Sequence, residues 1–149
     1  MLLKNQGKLG EADPLYRETL EVQRATLGPK HPDTLASMNN FAQLLQDQGK
    51  LGEAEPLMRE VLEVRRATLG PKHPSTLTSI SNLALLLEVQ GKLSEAHALL
   101  REAVEGMHAT MGPQHPDTFA NAACLARLTG KLHRKGGKTV VGLGKGGKK

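Results

Sequence analysis

Residues 49–90 read GKLGEAEPLMREVLEVRRATLGPKHPSTLTSISNLALLLEVQ, and residues 7–48 read GKLGEADPLYRETLEVQRATLGPKHPDTLASMNNFAQLLQDQ. Thirty of the 42 aligned positions are identical, which is the signature of a stacked repeat. A third copy, GKLSEAHALLREAVEGMHATMGPQHPDT at residues 91–118, drifts further, and the next Gly-Lys-Leu, at Gly130, comes three residues early. A single unit has an apolar face that it cannot bury alone, so its neighbour must cover it. The repeat therefore decides the fold.

Within each copy the apolar residues recur at three- and four-residue steps, giving a helical stripe. It comprises Ala12, Leu15, Tyr16 and Leu20, then Ala54, Leu57, Met58, Val61 and Leu62, then Ala96, Leu99, Leu100 and Val104. Each such helix stops at a Gly-Pro pair, where Gly28, Gly70 and Gly112 can adopt a left-handed cap and the following proline cannot extend the helix. A second helix restarts at His-Pro. Pro32, Pro74 and Pro116 suit a first helical position, with Asp33, Ser75 and Asp117 as the cap or as first-turn acceptors. The restarted helix carries Leu35, Met38, Phe41, Ala42, Leu44 and Leu45, matched by Leu77, Ile80, Leu83, Ala84, Leu86 and Leu87. Short connections make successive helices antiparallel.

Composition agrees. One Tyr, two Phe and no Trp leave a core of Leu, Ala, Val and Met, which favours helices over sheets. The net charge of +5 is unevenly placed. Residues 131–149 hold seven bases and no acid, whereas the rest of the chain carries two more acids than bases. That Gly- and Lys-rich segment is expected to be a disordered basic tail beyond a repeat domain of residues 1–130. Lone Cys124 excludes an internal disulfide and fits a reducing, cytoplasmic setting. No run of eighteen apolar residues occurs, and the opening MLLKNQG is too short and polar for a signal peptide. Residues 1–6 align with residues 43–48, so the chain opens inside a repeat.

Taken with the Gly-x-Leu-x-x-Ala junction, these features resemble the tetratricopeptide repeat. Its large-Leu-small pattern is met by Met38, Phe41 and Ala42 and by Ile80, Leu83 and Ala84, and its small second-helix residue by Ala12, Ala54 and Ala96. The spacing of 42, with the added length around LGPKHPDT, resembles repeats of the kinesin light chain type. The resemblance implies an all-α right-handed solenoid of antiparallel helix pairs, with about three partial-to-complete repeats. It also implies a non-catalytic scaffold that binds a protein or peptide along the concave face formed by the first helices. The residues it points to are Asn39, Asn40, Gln43 and Gln46, then Ser81, Asn82, Leu85 and Glu88. Amides that donate and accept together suit a peptide backbone; the plainer reading is that they are solvated helix positions.

Other chemistries have weaker support. The two first helices contain no Lys or Arg, which argues against a carboxylate clamp. His31, His73 and His115 recur once per repeat, on the order of 10 Å apart, too far to share a metal; helix-start packing is the expected role. Glycine-rich GLGKGG (residues 142–147) has no helix to open, and GGKT (136–139) lacks the earlier glycine of a phosphate loop. No enzyme activity and no cofactor are expected. Lys131, Arg134, Lys135, Lys138, Lys145, Lys148 and Lys149 could contact nucleic acid or another acidic surface, but without aromatics for stacking only weakly. At the two ends of the repeat array, part of the stripe Leu15, Tyr16, Leu20, and Leu125 and Leu128, are expected to lie open and to favour self-association.

Overall fold

The computed structural model describes the backbone of residues 9–148 and the side chains of residues 13–134. Six helices follow in order: α1 (Leu9–Thr26), α2 (Pro32–Asp47), α3 (Leu51–Leu69), α4 (Pro74–Val89), α5 (Leu93–Met111) and α6 (Pro116–Lys148). The fold is an all-α repeat. Helices α2, α4 and α6 are the first helices of their repeats (A helices), and α1, α3 and α5 the second (B helices). Two compact units result, residues 1–70 with α1 to α3 and residues 71–149 with α4 to α6.

In the first unit α2 packs against both α1 and α3. An A helix placed so must be apolar on two sides, and it is: Leu35, Met38, Phe41, Ala42, Leu44 and Leu45 are all buried. The B helices offer narrower stripes, with Ala54, Met58, Val61 and Leu62 buried on α3. Their outer faces are tied by ion pairs. Arg24 meets Glu60 through two hydrogen bonds of 3.1 Å each, and Arg17 reaches Glu53 at 3.0 Å while its Nε donates to Asp13 at 2.6 Å. Tyr16 stacks on Phe41 at 6.4 Å between ring centres, with the Arg17 guanidinium 4.9 Å from the same ring.

The second unit reverses the order, so the B helix α5 lies between α4 and α6. Its core is Leu77, Ile80, Leu83, Ala84, Leu86 and Leu87 from α4, Ala96, Leu100, Ala103 and Met107 from α5, and Leu128 from α6. Gly106 admits Leu77 closely; a Cβ there would lie 2.6 Å from a Leu77 methyl.

One sequence alternative is decided and two expectations need correction. Of the two roles left open for the helix-start residues, Asp33 and Asp117 take the first-turn one and are not the caps. Instead the Nδ1 atoms of His31, His73 and His115 accept the backbone N–H of Asp33, Ser75 and Asp117, each at 3.0 Å. Each histidine thus satisfies an orphan donor of its own helix. The cap glycines Gly70 and Gly112 have positive φ but are not in the left-handed helical region. Gly70 has φ 100° and ψ 157°, and Gly112 φ 90° and ψ 159°, a region open to little besides glycine. Finally, α6 runs on past Gly130, so the composition boundary is not the end of the helix. Lys131 is held there by Glu88. The side chains of Lys135, Lys138, Lys145, Lys148 and Lys149, and with them the charge and disorder expected of the tail, lie outside the side chains described.

At the α1 end part of the stripe is open, as expected: Leu15 is 56% exposed and Leu20 is buried at 6%. At the α6 end the expectation fails for Leu128, which is fully buried. Leu125 is partly covered. The columns explain this. Thr118 and Leu128 match Thr34 and Leu44, and Thr76 and Leu86, and all six are buried. Phe119 matches Leu35 and Leu77, which are buried, yet it is 67% exposed. One side of α6 is covered by α5, and the other side has no helix on it among the described residues.

Removing a histidine cap leaves an N–H unpaired at a helix start. His73→Ala should cost about 0.5–2 kcal/mol in urea unfolding, while His73→Ser should keep most of the wild-type stability. Equal stability of all three proteins would show that the imidazole does not act as the cap.

Candidate functional site

Along α4 the residues Thr78, Ser81, Asn82 and Leu85 follow helical spacing and form one edge of the helix. They face Asp117, Asn121 and Cys124 of α6 across a cavity of about 430 Å³, with Met107 of α5 beneath. Three of the eight residues singled out from sequence, Ser81, Asn82 and Leu85, are brought together here.

Ser81 is not free to bind. The residue is 7% exposed and its hydroxyl donates to Asn121 Oδ1 at 2.6 Å, while Asn121 Nδ2 donates to the Asp117 carbonyl at 2.8 Å. This chain fixes the wall between α4 and α6. Asn82 is half-buried and makes no hydrogen bond within the described residues. It offers the cavity both a donor and an acceptor.

Glu88, three residues beyond Leu85, is also engaged. Its side chain is 7% exposed and accepts from Lys131 Nζ at 2.6 Å and from Arg127 Nη1. Burial pushes the Glu88 carboxyl up. The hydrogen bonds from Lys131 and Arg127, with their charges, outweigh it and hold the group below its ordinary value. Arg127 is in turn held above its ordinary range, first by the Cys124 side chain and then by Glu88. The pair of cations closes one end of the cleft. Lys131, assigned from sequence to a free basic tail, is part of this latch. Arg134 is exposed.

In the first unit a second cavity of about 300 Å³ is lined by Leu15, Tyr16 and Thr19 of α1 and by Ser37 and Asn40 of α2. Asn40 is exposed; Asn39, Gln43 and Gln46 are half-buried on α2 and line neither cavity. The two A-helix edges differ. On α4 the edge is residues 78, 81, 82 and 85, while on α6 it is residues 117, 120, 121 and 124, which match 75, 78, 79 and 82 one repeat earlier. Each A helix therefore has a forward and a backward edge, and position 82 and its equivalents belong to both. Sequence reasoning found the forward edge and missed Asp117, Asn121 and Cys124 on the backward one. The repeat period held the signal, because facing edges are offset by three residues and not aligned.

The Glu88 network sets a pH dependence. Its pKa is lower in the folded chain than in the unfolded chain, so its contribution is present above the unfolded value and is lost as pH falls through the folded one. The urea midpoint of the wild type should exceed that of Glu88→Gln at neutral pH, and the gap should close as pH drops below the ordinary carboxylate range of about 4.3. A gap that persists unchanged at acid pH would show that shape, not charge, holds α6 to α4.

Comparison with known proteins agrees with this architecture. The tetratricopeptide repeat family model matches residues 1–67 and 40–109. A crystal structure of a putative kinesin light chain from Podosopora anserina, described as having nearly identical TPR-like repeats, superposes with a TM-score of 0.79 at 31% identity. A point variant of that protein gives 0.79 at 30%. In both cases 89% of this chain is covered, and the chain spans 64% of the relative's length. BtubC (BKLC) from P. vanneervenii shares the fold, with a TM-score of 0.73 at 18% identity over 89% of this chain and 54% of that one. No curated protein sequence matches the chain. No described helix is long and apolar enough to cross a membrane. The matched family model, the 42-residue period and the alternating A and B helices together make this chain a member of the tetratricopeptide repeat family, with repeats of the kinesin light chain type.

Proposed function

We propose that the chain is a non-catalytic interaction module that holds an extended peptide against the edges of its A helices. The tetratricopeptide repeat fold generally mediates protein–protein interaction, and the finer reading rests on one observation. The cleft between α4 and α6 is large enough for a side chain, is walled by Leu85 and Met107, and presents the half-buried, unengaged amide of Asn82. A peptide backbone crossing it would find a donor and an acceptor together with an apolar floor. Asn40, in the matching column of the first unit, supplies the same group beside Tyr16.

The Arg127–Glu88–Lys131 latch supports a preference in the peptide. Both cations remain about two-fifths exposed, so acidic side chains passing that end would be favoured over basic ones. The alternative, electrostatic binding of nucleic acid through the C-terminal bases, loses Lys131 to this latch.

The test is selection of binders from a displayed random-peptide library, followed by calorimetry on variants. Asn82→Ala should weaken the selected peptide by about 1–3 kcal/mol while leaving the melting temperature unchanged. Ser81→Ala should instead lower stability, since Asn121 loses its donor. Affinity unaffected by Asn82→Ala would remove this cleft from the account.

A further inference from the structure

The open side of α6 carries Phe119, Ala122 and Ala126. The matching positions are Leu35, Met38 and Ala42 on α2, and Leu77, Ile80 and Ala84 on α4, and all six are 4% exposed or less. What separates the helices is the B helix that packs next, α3 on α2 and α5 on α4. On α1 the mirror image holds. Tyr16 is half-buried and Thr19 exposed, whereas Met58 and Val61, and Leu100 and Ala103, in the same columns, are at most 2% exposed. So α6 lacks a B helix, and α1 lacks an A helix, among the described residues.

We propose that the occupant of both faces is a second copy of this chain, joined head to tail, with α1 of one copy packing on α6 of the other. Three independent columns agree on a single register. First, Leu77 fills the notch at Gly106; one repeat on, the residue matching Leu77 is Phe119 and the α1 residue matching Gly106 is Val22. These two are 67% and 54% exposed, and the junction covers them with one another. Second, Arg24 and Glu60 tie successive B helices; the same columns bring His108 of α5 beside Glu18 of the incoming α1, both exposed. Third, the cavity formed by Leu15, Tyr16, Thr19, Ser37 and Asn40 lies on the backward edge of α2. In the second unit α6 presents that edge to α4. The forward edge of α6, with Ala123, is the wall that faces it across the junction, as α6 faces α4 across its own cleft.

Such a contact is heterologous, because the two faces differ, so a dimer still carries one free face of each kind and assembly continues past it. Its natural probe is a pair of variants, each spoiling one face at an exposed position: Phe119→Glu for the α6 face and Val22→Glu for the α1 face. In sedimentation the wild type should grow in mean mass as concentration rises, without a plateau at the dimer. Each variant alone should remain monomeric with wild-type helicity by circular dichroism. An equal mixture should form 1:1 heterodimers and nothing larger, since only one intact junction can be made. Three results would each overturn the proposal: a wild type monomeric at high concentration, a single variant that still self-associates, or a mixture that stays monomeric. The first of these would assign the faces to a different protein. The peptide cleft between α4 and α6 is not part of either variant, so peptide binding reports separately.

Discussion

An A helix of this repeat is apolar on two sides, and that is the constraint from which the rest follows. One neighbour covers only half of it. In α2 and α4 the residues Leu44 and Leu86 lie on one side and Leu35 and Leu77 on the other, and all four are buried. Burying a leucine is worth roughly 1.5–3 kcal/mol, against a total domain stability of roughly 5–15 kcal/mol. A missing neighbour is thus a large fraction of the whole. In α6, Leu128 keeps its cover and Phe119 has none, so this one helix shows both conditions at once.

Polar groups then decide where the stack is rigid and where it is open to a ligand. The facing edges of α4 and α6 are mixed, with Leu85 and Ala120 among polar residues, because they meet across a cleft that solvent enters. Some of their polar residues are spent on structure: Ser81 on Asn121, and Glu88 on Arg127 and Lys131. Those that are not, Asn82 and Asn40, stand in the same column of successive repeats. The division of labour was not visible from residue type, since serine and asparagine are equally good candidates on paper.

The sequence carried the architecture because its signals were periodic and mutually consistent: stripe, Gly-Pro stop and His-Pro restart, repeated three times. It was less informative wherever the answer depended on which side of a helix a neighbour occupies. Leu125 and Leu128 are three residues apart and equally apolar, yet only Leu128 turns fully to α5. Asp33 and Asp117 are better caps by propensity than histidine, but the proline at the first helical position sets the preceding imidazole against the helix start. Glycine content suggested that order ends at Gly130, whereas Lys131, one residue on, is fixed by a carboxylate 43 positions earlier. The first and last of these come from a tertiary contact overriding a local preference, and the histidine cap from the local geometry that proline imposes.

The most direct measurement of the central claim is native-state hydrogen exchange of the Phe119→Glu protein under dilute conditions, comparing matched amides of α2, α4 and α6. If coverage by the following B helix sets local stability, the amides around Phe41–Leu45 and Leu83–Leu87 should open only with the unit that holds them. Those around Leu125–Thr129 should open at a lower free energy by at least ~1–2 kcal/mol. Equal protection in all three helices would contradict the account.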